Sequence, residues 1–123
     1  MSDIRVDTIS AANGTDPVTL TKQSAAKVWV NFDGTGSYST RDSFNVSSLT
    51  DISPGETYVN FTTNMLNANY SATTIPRINA SIKGTVASYH QPYHLRVQSR
   101  NTTISGTLAD SDYNCYTING DLA

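Results

Sequence analysis

A single cysteine, Cys115, rules out an intrachain disulfide and any thiolate metal cluster within one chain, so stability has to come from packing. Charge is equally sparse: eight Lys and Arg against ten Asp and Glu leave a net charge of −2, and the basic residues are scattered. Neutralising phosphates takes clustered cations, so an electrostatic nucleic-acid binder is excluded. No apolar run approaches the ~18 residues that span a bilayer, and no basic-then-apolar leader is present. The expectation is a soluble protein synthesised in a cytoplasm, without membrane insertion. Leu, Ile, Val and Phe are scarce too, which makes the hydrophobic supply thin for the length.

In their place stand Ser, Thr and Asn, 43 of the 123 residues. Low aliphatic content with high charge would mean disorder, but here the charge is low, and the polar residues are mostly β-tolerant Thr and turn-forming Asn. The composition therefore suits a half-solvated antiparallel sheet protein, or a small subunit that completes its core by oligomerising. A chain of this length is one domain that buries roughly two thirds of its unfolded surface.

The stretch 25–63 organises the rest, and it holds the only Trp and all three Phe. Ala26, Val28, Val30 and Phe32 alternate with Lys27, Trp29 and Asn31, the period of a strand buried on one side. Phe44 and Val46 alternate with Ser43, Asn45 and Ser47, giving a second strand. Val59 and Phe61 set against Tyr58, Asn60 and Thr62 give a third. Asp33-Gly34-Thr35-Gly36 supplies residues that tolerate positive φ, and Pro54-Gly55 fits the centre of a type II turn.

Before this stretch, residues 1–24 read as a separate stem. Ile4, Val6 and Ile9 form one short strand and Val18 and Leu20 lie in another, with Asn13-Gly14-Thr15-Asp16-Pro17 between them. An isolated two-stranded hairpin is marginal in water, so the segment either pairs with copies of itself or docks elsewhere. After it, 64–69 is the one place where a helical turn fits, around Met65 and Leu66. Pro76 makes 71–77 a strand edge or a loop. Ile78, Ala80 and Ile82 suggest a fourth strand, Leu95 and Val97 a fifth, and Tyr113 to Ile118 a sixth.

Tyr89, His90, Tyr93, His94 and Arg96 form the patch with most chemistry, able to stack on sugar faces and to hydrogen-bond hydroxyls. The loops 33–41 and 64–77 are equally open to a receptor. Read on one extended strand, His90 and His94 lie roughly 13 Å apart at ~3.3 Å per residue, too far to share one ion. No metal and no cofactor is expected. Asp110 and Asp112 resemble paired carboxylates, but Asp-Ser-Asp in a loop is better explained by an Asx turn or a loose cation site. Cys115, in a strand, reads as a small buried apolar residue. No Ser-His-Asp arrangement is signposted, and the reading is non-enzymatic. The Asn-x-Ser/Thr sequons beginning at Asn13, Asn45, Asn60, Asn69, Asn79 and Asn101 are what chance gives in so Asn-rich a chain.

Three strings resemble a domain of tail-fibre and related appendage proteins of tailed bacteriophages, of the cyanophage and marine-phage type. They are Ala-Lys-x-Trp-Val-Asn-Phe at Ala26 to Phe32, Arg-x-Ser-Phe-Asn-Val-Ser-Ser at Arg41 to Ser48, and Asn60-Phe61-Thr62-Thr63. Leu95 to Tyr116 is similar to the family's last hairpin, with Arg96-Val97-Gln98 leading to Ser105-Gly106-Thr107 and Asp110. The resemblance spans about two thirds of the chain and leaves out 71–92 and 117–123. It implies an all-β chain: an antiparallel β-sandwich or jelly-roll-like domain over 25–123 after a short N-terminal β stem, assembled as a homotrimer on the virion. A tail fibre or fibre tip follows as the function, with bacterial surface glycan and other tail, baseplate or capsid proteins as partners. A head fibre or capsid decoration protein is the alternative within the class, and a free carbohydrate-binding module the alternative outside it.

Overall fold

The computed structural model describes residues 25–78, 81–82, 84–100 and 106–123; the stem positions Ile4, Val6, Ile9, Val18 and Leu20 lie outside the described residues. Among the described residues nine strands follow in order: β1 Val28–Asp33, β2 Ser39–Phe44, β3 Val46–Ser53, β4 Glu56–Phe61, β5 Ser71–Ile78, β6 Ser81–Ile82, β7 Gly84–Gln91, β8 His94–Arg100 and β9 Tyr113–Asn119. No helix occurs among the described residues. The strands form two antiparallel sheets, ordered β2-β1-β9-β5-β6 and β3-β4-β8-β7. All-β and two-layered, the chain is a β-sandwich.

Alternation decides what lies between the layers. The central strands β1 and β9 turn Val28, Val30, Phe32, Tyr116 and Ile118 inward, and β4 and β8 answer with Val59, Phe61, Leu95 and Val97. Each such side chain contributes about 1.5–3 kcal/mol by leaving water. Phe32 stacks on Tyr116 with ring centroids 5.7 Å apart, and Tyr38 lies 5.8 Å from Phe32 on its other flank. The outward set, Trp29, Asn31, Tyr58 and Asn60 among them, is half-buried.

The run Ser43 to Ser47 is not one strand. Asn45 adopts φ 58°, the left-handed region that Asn tolerates better than other residues with a side chain, and there the chain leaves the first sheet and enters the second. Phe44 and Val46 consequently part company. Phe44 pairs with Trp29 on the outer face of the first sheet and is half exposed, while Val46 packs against the core from the second.

Three further expectations change. Residues 64–69 form no helical turn: Met65 is fully buried and bridges Leu122, because the loop closes one end of the sandwich. Ile78 and Ile82 do not share the fourth strand expected of them: Ile78 ends β5, and Ile82 lies in β6, which pairs antiparallel with Arg77 and Ile78. Of the strand edge or loop expected at 71–77, the strand edge is what forms: β5 pairs with β9 throughout and β6 meets it only at its last two residues, so among the described residues Pro76 has a partner on one side alone. Cys115 faces outward and is only half-buried, between Asn31 and Ile75 on the neighbouring strands, since Tyr116 takes the inward position.

The Pro54-Gly55 turn holds as read. Gly55 has φ 75°, and its N–H donates to Asp110 Oδ1 at 2.7 Å, so Asp110 anchors the β3–β4 turn. At the β1–β2 turn, Asp33 Oδ1 accepts from Thr35 N at 2.9 Å and from Thr35 Oγ1 at 2.6 Å, an Asx turn. Arg41, bulged out of β2, donates to the Asp112 carbonyl at 2.7 Å and to Asp33 at 3.4 Å, with its guanidinium 5.0 Å from the Tyr113 ring centre.

Candidate binding face

The outer face of the second sheet is built in cross-strand rows. Tyr58 on β4, Arg96 on β8 and Tyr89 on β7 form one row, Asn60, His94 and Gln91 the next, and Glu56 and Gln98 a third. Same-face residues in paired strands lie close enough to touch. His94 stacks on Tyr58 at 4.3 Å between centroids, meets Tyr93 edge-on at 4.5 Å, and has Tyr89 at 6.0 Å. Tyr89 and Tyr93 are about half exposed, with 48% and 52% of their surface open to solvent, so the cluster ends in two accessible ring faces.

A polar network lies beside the rings. The buried Glu56 carboxylate accepts from Arg96 Nη2, from Gln98 Nε2 and, at 2.9 Å, from Ser53 Oγ. Burial by itself would raise this carboxyl, but the three hydrogen bonds and the Arg96 charge outweigh it and hold Glu56 below its ordinary value. Gln98 in turn accepts from Arg100 at 2.7 Å. Asn60 donates to Ser48 Oγ at 3.0 Å and to Thr50 Oγ1 at 2.9 Å on the edge strand. Burial also lowers the His94 imidazole below its usual value.

The turn that carries Tyr93 is fixed from beneath. Phe61 N donates to the Tyr93 carbonyl at 3.0 Å and Met65 N to the Pro92 carbonyl at 2.7 Å. The Tyr70 hydroxyl lies 3.1 Å from the Gln91 carbonyl and 3.0 Å from that of His94. The rings are thereby presented on a held backbone, and little order has to be gained on binding.

Four of the five predicted residues, Tyr89, Tyr93, His94 and Arg96, come together on this face. His90 does not join them. It pairs with the core residue Leu95 and sits 4.9 Å from the Tyr70 ring, on the inward side. The two histidines occupy facing strands of a hairpin, not one extended strand, and point to opposite faces. A register shift between Ala87 and Tyr89 sets this arrangement. Tyr58, Glu56, Asn60 and Gln98 complete the face and are absent from the sequence-derived set. The alternation of β4 already turned Tyr58 and Asn60 outward, but only strand pairing brings them beside a segment 36 residues away. Among the described residues, no group of three or more His, Cys, Asp or Glu is placed to hold a metal ion.

No family model, curated protein or solved structure matches this chain.

Proposed function

We propose that this chain is a structural protein of a tailed-phage virion, a short tail fibre or fibre tip that works as a homotrimer and contributes to host-surface attachment. The observation that carries the reading is the convergence of the three strings on which the resemblance rests. Trp29 of the first pairs with Phe44 of the second, and Asn45 of the second bonds both to Lys27 of the first and to Thr63 of the third. The strings are neighbours in the chain, and the corner they build together is what supports reading them as one unit. Three-fold association would also supplement a core drawn from few aliphatic residues and cover sheet edges.

In this reading the chain is not an enzyme. Attachment works by avidity: weak contacts through the outer face of the second sheet, repeated over subunits and fibres, hold where one contact would not. Segment 1–24 serves as the stem that docks on neighbouring tail, baseplate or capsid proteins. A free carbohydrate-binding module is the second reading, favoured by the half-exposed rings of Tyr89 and Tyr93 beside the polar side chains of the same sheet face.

The test is the absolute mass in solution by light scattering, with an unheated denaturing gel alongside and antibody labelling of intact virions. Three subunits and label at the tail support the fibre reading. A monomer at micromolar concentration with no virion label overturns it in favour of the free module.

A further inference from the structure

Two nitrogens on the outer face of the second sheet, His94 Nε2 and Arg96 Nε, are buried and have no hydrogen-bond partner among the described residues. An orphaned buried polar atom is costly enough that most native ones are satisfied by protein, water or ligand. These two belong to residues i and i+2 of β8, so they share a face. In the strand rows Arg96 lies between Tyr58 and Tyr89, and His94 is bounded by the rings of Tyr58, Tyr89 and Tyr93. The unsatisfied pair therefore sits inside the aromatic cluster, where a bound molecule would stack and hydrogen-bond at once.

We infer that this face binds an uncharged pyranose, with the sugar ring on Tyr89 and Tyr93 and a hydroxyl or vicinal diol satisfying Arg96 Nε and His94 Nε2. The hydroxyl is the group that fits both atoms. It accepts from the Arg96 N–H and pairs with His94 in either neutral tautomer, since it both donates and accepts. A carboxylate fits poorly: it only accepts, the Arg96 charge is already offset by Glu56, and the His94 imidazole is held toward its neutral form. Both atoms are shielded from solvent, so access needs a side chain of the cluster to move; Tyr89 and Tyr93 are half exposed, and exposed side chains change rotamer within nanoseconds. The inference deepens the attachment reading and rests on it for its biological setting.

The test is a titration of the ¹⁵N-labelled full chain with methyl glucoside, methyl galactoside and methyl mannoside, and with the methyl glycoside of glucuronic acid, following the Arg96 Nε–H and His94 imidazole resonances. At least one neutral glycoside is expected to shift both sets saturably, and the uronide to shift them less. Tyr89→Ala and Arg96→Lys, each checked for an unchanged core amide spectrum, are expected to weaken binding about tenfold, the equivalent of one lost hydrogen bond or stacking contact. Tyr89 is exposed enough for its variant to fold even if removing Arg96 from Glu56 proves disruptive. No shift with any of the glycosides, tighter binding of the uronide, or shifts confined to other faces would overturn the inference. The virion reading fails separately, on the mass and labelling experiment: a sugar-binding monomer would sink that reading and keep this one.

Discussion

Asn45 and Thr63 hold each other through reciprocal hydrogen bonds: Thr63 N donates to Asn45 Oδ1 at 2.7 Å, and Asn45 Nδ2 donates to the Thr63 carbonyl at 3.0 Å. The same Nδ2 reaches the Lys27 carbonyl at 3.1 Å, and the Asn45 carbonyl accepts from Thr62 N at 3.2 Å. One side chain thus ties the entry to β1 and the exit of β4 to the point where the chain changes sheets. Asn45→Ala removes the side-chain bonds and puts a poorly tolerated residue at φ 58°, for a loss of about 2–3 kcal/mol. Asn45→Gly relieves the backbone and loses only the bonds, so it should cost roughly 1 kcal/mol less. Urea unfolding of the two variants beside the parent checks the order; equal midpoints would mean that the clamp carries no stability.

Gly55 and Gly36 both have positive φ, 75° and 63°, but only one of them is crowded. A Cβ at Gly55 would meet Ala109 N at 2.4 Å and the Ser99 carbonyl at 2.6 Å, backbone atoms that cannot swing aside; at Gly36 it would meet nothing within 4 Å. Gly36→Ala should cost about 1 kcal/mol, the conformational penalty alone. Gly55→Ala should cost about 3 kcal/mol or more, through clash as well as strain. Thermal melts of the pair separate the two contributions.

Acid should destabilise the fold in two stages. The folded-state value of His94 is depressed below 6.5, so the unfolded chain binds the proton more readily and stability falls as pH drops below that value. The Glu56 value is also depressed, from 4.5, so its contribution is complete above that pH and is lost as pH falls through the folded value. His94→Gln should remove the upper stage and Glu56→Gln the lower, in urea midpoints measured against pH. An unchanged profile in either variant would refute that assignment.

Burial raises the Tyr70 hydroxyl to about 12. It has one proton for two carbonyls, those of Gln91 and His94, and shares it between them. Tyr70→Phe should cost about 1 kcal/mol and speed amide exchange in the β7–β8 hairpin while leaving the first sheet unchanged. Uniform protection loss across both sheets would mean that the hydroxyl has no local role there.

What sequence alone determined follows from period and turn chemistry. The alternations at Val28 to Phe32, Val59 to Phe61 and Leu95 to Val97 specified strands and their inward faces, because a two-residue period survives in no other regular structure. Gly55 needed only its own φ preference and the proline before it. The break at Asn45 stayed hidden because one left-handed residue leaves the apolar alternation on either side intact; only the two different sheets separate Phe44 from Val46. The candidate face was legible in part. Tyr89, Tyr93, His94 and Arg96 fall close together in the chain, but a register shift in β7 sends His90 inward, and pairing with β4 brings Tyr58 and Glu56 from far away. Those contacts are long-range hydrogen-bond register, a quantity fixed by the packed core as a whole, and no local run of residues encodes it.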